Sequence, residues 1–172
     1  YMAMICYKNG SLTREYVRDR AAGGDWTRFS RMLGESSPGN GGRIGFYIRE
    51  PEITPPIRKT GIFRFGPDGK PVKSFDAATE VRAVVEGQFL SMRLHAGNVG
   101  IRPERILATG GASANTAILR VMGEVFGVPV YTCNVPNSAA LGAAYRALHG
   151  WVSHREGRFV PFAEALTGAG EF

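Results

Sequence analysis

From residue 77 onward the chain alternates between two periodicities, and that alternation limits the folds open to it. Ala77 to His95 places Val81, Val84, Val85, Phe89 and Met92 at i, i+3, i+4, i+8 and i+11. That is one apolar stripe along a helix, with Arg82, Glu86 and Arg93 off it. Ile106 to Thr109 then reads as a short buried strand, cut off by Gly110 and Gly111. Helical spacing resumes at once, with Ile118, Met122 and Val125 inward, Ser113 placed to cap the helix and Gly127 to end it near Phe126. Val128 to Thr132 is a second strand. Asn137 or Ser138 caps a last helix to about His149, whose small residues Ala139, Ala140, Gly142, Ala143 and Ala144 would let a neighbour's backbone approach. Helix, strand, helix, strand, helix is the order of an α/β layer with parallel strands.

The first half is more irregular and richer in β signals. Met2 to Tyr7 reads as an apolar strand ending in an Asn9-Gly10 turn, and Ser11 to Arg20 as a short amphipathic helix through Leu12, Tyr16 and Val17. Gly23 and Gly24 break that helix, and Asp25 caps the next, which carries Trp26, Phe29, Met32 and Leu33. Ser36 to Gly42 is a loop by composition, and Ile44 to Ile48 a strand. The three prolines of Pro51 to Pro56 rule out a central strand or helix. Ile62 to Phe65 and Pro71 to Phe75 flank a Gly-Pro-Asp-Gly turn and predict a hairpin.

Composition removes several classes of function. The chain has 172 residues, 44% of them hydrophobic and 21% charged, as expected of a globular domain with a real core. No apolar run is long enough for a membrane span and no N-terminal signal pattern is present, so the expected location is the cytoplasm, with no membrane partner. The net charge is +6, yet no basic run exceeds two residues, which argues against nucleic acid as a partner. Cys6 and Cys133 form no CxxC pair, and His95, His149 and His154 have no ligand spacing, so no metal site is expected and the histidines read as core or surface residues. Asn9-Gly10-Ser11 has the form of a glycosylation sequon but reads here as a plain turn. The first residue is Tyr1 rather than Met, which leads to the expectation of a piece cut from a longer chain.

The Gly110-Gly111 turn admits two readings. Glycine is the default turn residue, so the turn can be architecture. A strand that ends in glycines and opens a helix can also bring backbone N–H groups against a ligand, because no Cβ intervenes. Neither the G-x-G-x-x-G fingerprint nor the P-loop pattern is present.

"ILATGGASAN", "VFGVPVYT" and "NSAALGAAYRALHG" taken together resemble the C-terminal signature of the FGGY carbohydrate kinases. "KNGSLTRE", "GNGGRIGFY", "EITP" and "EVRAVVEGQF" narrow the resemblance to the eukaryotic-type xylulokinase branch. The resemblance implies an α/β fold of the ribonuclease-H-like, actin-like ATPase class, a mixed sheet with helices on its faces. It implies that residues 1–150 are the C-terminal, nucleotide-binding domain without its first hairpin, followed by a tail at 151–172. It implies ATP as cofactor, with magnesium bound to it, and a parent enzyme that phosphorylates a ketopentose.

Carried over position by position, Gly110, Gly111 and Ala112 would set backbone against the nucleotide, Asn115 would offer its amide to the adenosine, and Trp26 would lie beside it. The competing reading of Trp26 is a core anchor, and that of Asn115 a helix cap. Many members carry a Glu just before the small-residue helix; here Pro136-Asn137-Ser138 stands there, and no role is assigned to it. The family's sugar pocket and catalytic Asp lie in its other half, and no acidic pair here has general-base spacing, so no catalytic residue is expected in this chain. The alternative from another class is a non-catalytic binding domain on the same scaffold.

Overall fold

The computed structural model describes residues 2–133 and 137–167. These fall into two compact units, one within Tyr1–Ala108 and Asn115–Thr132, the other within Thr109–Ala114 and Cys133–Phe172.

In the first unit, helix α1 spans Ser11–Ala21 and α2 spans Trp26–Glu35. Asp25 caps α2 as its position demands, its carboxylate accepting the Thr27 N–H at 2.7 Å. Phe29 and Leu33 take the inner face of α2 and are fully buried. Two short turns within Pro38–Gly42 follow, joined across a kink at Gly39 to Gly41. The chain there runs through positive φ at Gly39, Asn40, Gly41 and Gly42, which is why three of these four are glycine. The non-glycine member, Asn40, is held by its side-chain amide donating to the Thr79 carbonyl at 3.1 Å.

Strands β1 (Ile44–Ile48), β2 (Gly61–Phe65) and β3 (Pro71–Val72) form an antiparallel sheet in that order, with Ile44 opposite Phe65 and Phe65 opposite Pro71. The proline-rich link between β1 and β2 holds only an isolated bridge, Glu52 to Ile57. Asp76 caps α3 (Ala77–Asn98) by accepting the Thr79 N–H at 2.9 Å. α3 is the centre of the unit, packed by α1, α2, α4 and β1. β4 (Ile106–Ala108) pairs in parallel with β5 (Val130–Thr132), and α4 (Thr116–Phe126) crosses between them, ended by Gly127 at φ 70°.

The second unit holds a 3₁₀ turn, Gly111–Ala114, and helices α5 (Ser138–Arg155) and α6 (Phe162–Ala165). His149 is a core histidine. It is 6% exposed, between the rings of Phe159 and Phe162, and its Nε2 lies 2.8 Å from the Val160 carbonyl oxygen. α5 runs past Gly150 to Arg155, further than the sequence pattern suggested, and its small residues Ala139, Ala140, Gly142, Ala143 and Ala144 face solvent rather than a neighbour. Asn137 occupies the N-cap position without a side-chain bond. Pro136 and the last five residues of the expected tail lie outside the described residues.

Three expectations are corrected. Met2 to Tyr7 is not a strand, because among the described residues no second strand pairs with it, and Met2 and Met4 are exposed. The cap of α4 is Asn115, whose Oδ1 accepts the Ile118 N–H at 3.1 Å; Ser113 instead turns back to the Gly110 carbonyl, its hydroxyl donating at 2.6 Å. Leu107 in β4 is 63% exposed, so only Ala108 makes that strand a buried one. Arg82 and Glu86, which lie off the apolar stripe of α3, are nonetheless buried at 0% and 7% exposure. α3 is covered on more than its apolar stripe.

The backbones of α3 and β1 approach closely. A Cβ at Gly87 would sit 2.7 Å from the Gly45 carbonyl oxygen. Gly87→Ala should therefore destabilise the fold by about 1–3 kcal/mol, as overpacking does, read as a lower midpoint in urea unfolding. An unchanged midpoint would mean that α3 and β1 separate freely.

Candidate functional site

Trp26 opens α2. Its indole is 37% exposed, with the Phe29 ring edge-on at 5.2 Å and the Arg18 guanidinium 4.8 Å from its centroid. It is thus an aromatic surface held in place by its neighbours, while Phe29 takes the core position beneath. One turn further on the same face is Ser30, about 6 Å along the axis. Its hydroxyl accepts a hydrogen bond from Asn115 Nδ2 at 2.8 Å. The structure therefore brings Asn115 to the helix that carries Trp26, although the two are far apart in sequence.

Gly110, Gly111 and Ala112 belong to the second unit. Gly110 sits at φ 81°, a conformation that requires glycine, and its carbonyl accepts both the Ser113 N–H at 3.0 Å and the Ser113 hydroxyl. Gly111 has no such requirement. Its φ is not in the left-handed region, and a Cβ there would meet no atom within 4 Å. Neither packing nor backbone geometry explains a glycine at that position.

Two clusters escaped sequence reasoning. Arg82, with no solvent exposure, pairs through Nε with Glu86 and through Nη2 with Glu124 at 2.8 Å. The Nη2 contact is off the line of its N–H, and Nη1 has no hydrogen-bond partner among the described residues. Glu86 also accepts the Gly39 N–H at 3.2 Å. Glu124 pairs with Arg120 at 3.3 Å, and Arg120 donates to the Leu33 and Gly34 carbonyls at 2.9 and 3.0 Å.

The second cluster ties "KNGS" to "EITP". Asn9 is 8% exposed, and its side chain bonds the backbone of Arg49 and Glu50 and the Glu52 carboxylate. Burial would raise the Glu52 carboxyl, but N–H donors from Lys8, Asn9 and Ile53 outweigh it and hold the group below the usual range. Asn9 is therefore a knot rather than a plain turn, and Gly10 has a negative φ. No spacing rule signals such a contact in advance.

An apolar groove of about 360 Å³ lies between α3 and β1, lined in part by Tyr7, Phe46, Pro55, Leu90 and His95. None of the five residues singled out from the sequence lines it. Two of the polar side chains at its edge are committed elsewhere, while the buried Tyr7 hydroxyl has no hydrogen-bond partner among the described residues. Glu52 is taken by the knot, and Gln88 bonds Asn9, Gly10 and Arg14. Burial first, and then Glu52, push the Tyr7 phenol above its ordinary value. Among the described residues no cluster of His, Cys, Asp and Glu could hold a metal ion.

As the cap of α4, Asn115 has a stability role that can be measured apart from any ligand. Asn115→Ala should cost about 1 kcal/mol, the usual worth of an N-cap, and Asn115→Asp, which keeps the acceptor, distinctly less. Urea unfolding of the two variants checks this, and equal losses would show that the cap bond contributes nothing.

Comparison with known proteins places the chain. Residues 49–151 match the sequence pattern of the FGGY family of carbohydrate kinases, C-terminal domain. Xylulose kinase 2 of Arabidopsis thaliana is 46% identical over 98% of this chain and 32% of its own length. Xylulose kinase of Rattus norvegicus is likewise 46% identical over 98% of this chain and 31% of its own. The chain spans about a third of the length of these relatives. The crystal structure of xylulose kinase from Bifidobacterium adolescentis superposes with a TM-score of 0.62 at 26% identity, over 83% of this chain and 28% of that one. The two strand senses, antiparallel in β1–β3 and parallel in β4–β5, and the intervening helices are those of the actin-like α/β fold. The chain belongs to the FGGY family of carbohydrate kinases and carries its C-terminal domain.

Proposed function

We propose that this chain is the adenosine-side lobe of an ATP-dependent ketopentose kinase, converting D-xylulose to D-xylulose 5-phosphate. The observation that carries the reading is 46% identity to xylulose kinases of a plant and a mammal along nearly the whole chain. Residues 1–150 are the kinase domain in this reading, and 151–172 a tail.

Gly111 fits the nucleotide assignment. A Cβ there would meet open space, which leaves its backbone open to a ligand; Gly34 and Gly97 share that feature, so the assignment to the nucleotide rests on the family resemblance. Adenine is flat and largely apolar and needs a wide wall with a few polar partners. Within the first unit Trp26 would offer the wall and Asn115 an amide; the assignment of Gly110 to Ala112, in the second unit, rests on the family resemblance.

Phosphoryl transfer depends on positioning and charge neutralisation more than on covalent chemistry by the protein. The rest of the whole protein would hold the sugar and the base, and closure over the nucleotide would exclude water in favour of the sugar hydroxyl. Magnesium would come bound to the phosphates of ATP, neutralising their charge. A cytoplasmic location fits two free cysteines, and no described helix is long and apolar enough to cross a membrane.

Two outcomes are expected. The purified chain, given ATP, magnesium and a panel of pentuloses, should form no sugar phosphate; sustained formation that survives further purification would place the catalytic groups within it. In the whole kinase, Gly111→Val should raise the KM for ATP about tenfold, a clash being worth at least one such factor, with the KM for sugar and the Tm unchanged. Unaltered ATP kinetics would make the turn purely architectural.

A further inference from the structure

We infer that Ser30 is a positioning residue for the nucleotide site, acting through Asn115; this rests on the reading of that site given above. A primary amide has two acceptor lone pairs and two donor protons. Asn115 uses one lone pair on the Ile118 N–H at 3.1 Å and one proton on the Ser30 hydroxyl at 2.8 Å. Pinned at both ends, the amide cannot flip, and it keeps one donor and one acceptor for a ligand. The cap bond already sets which way the planar amide faces, and the Ser30 bond adds a second anchor that narrows its remaining motion about the side-chain torsions.

Ser30 also stands one turn from Trp26 on the same face of α2. The hydroxyl therefore anchors the amide on the helix face that carries the indole. A planar heteroaromatic ring with a donor and an acceptor on its edge, stacked on the indole, suits that pairing; adenine has those features and guanine presents a different edge.

The bond is not needed to hold the two helices together. Arg120 of α4 donates to both the Leu33 and Gly34 carbonyls at the other end of α2. Phe29, Leu33, Ile118 and Val121 bury the interior of the unit. Loss of the Ser30 hydroxyl should release the amide without undocking α2 from α4.

The test uses the whole kinase with Ser30→Ala, Ser30→Thr, Asn115→Ala and the Ser30→Ala/Asn115→Ala pair, measuring kcat, KM for ATP, GTP and sugar, and Tm. Ser30→Ala should raise the KM for ATP about fivefold, the worth of one hydrogen bond. The preference for ATP over GTP should fall by a similar factor, with kcat and the KM for sugar within about twofold. Ser30→Thr should restore both values, and Ser30→Ala should add nothing once Asn115 is Ala. An equal loss for ATP and GTP with a lower Tm would overturn the inference, as would a full Ser30→Ala effect in the Asn115→Ala background. If Asn115→Ala leaves the KM for ATP untouched, the assignment of the site itself fails, and Ser30 with it.

Discussion

Arg82 has no contact with solvent, and a guanidinium buried without counter-charge would cost far more than a small domain has to spare. Its two carboxylates come from different elements, Glu86 from α3 and Glu124 from α4. Each of those carboxylates is itself engaged further. Glu86 takes a backbone N–H of the glycine turn, and Glu124 takes Arg120, whose guanidinium reaches the carbonyl end of α2, where the helix dipole favours a cation. One buried charge thus sets the spacing of α2, α3, α4 and the Pro38–Gly42 turn. Trp26, Ser30 and Asn115 all stand on this arrangement, two at the start of α2 and one at the start of α4.

What could be read from the sequence was local. Asp25 announces its helix because a cap needs only the residues of the next turn. The apolar stripe of α3 was legible because Val81, Val84, Val85 and Phe89 repeat at helical spacing, and all four are buried. The same reasoning set Arg82 and Glu86 off the stripe but could not show that they are buried, since periodicity cannot foresee four elements closing around one helix. Met2 to Tyr7 failed for the complementary reason. Its residues favour a strand, but a strand exists only with a partner, and its own residues do not supply one. Asn9 failed because its bonds to Arg49, Glu50 and Glu52 join segments some forty residues apart.

The candidate site was legible only through family resemblance. Spacing alone could mark Gly110 and Gly111 as a turn, and it chose Ser113 over Asn115 as the cap. Trp26 and Asn115 are separated by most of the chain, and nothing in their neighbourhoods links them. The structure adds Ser30, a residue that carries no sequence signal and gains its meaning from a hydrogen bond across 85 positions. It also separates the two glycines, one required by backbone conformation and the other not.

The central claim is that these residues face the adenosine of ATP, and an adenine-directed photoaffinity label tests it most directly. The whole kinase would be irradiated with 8-azido-ATP, with and without excess ATP, and the labelled peptides mapped. The expected result is ATP-protected label in the peptides that contain Trp26 or residues 110–115. Label confined to other parts of the protein, or to the apolar groove between α3 and β1, would contradict it.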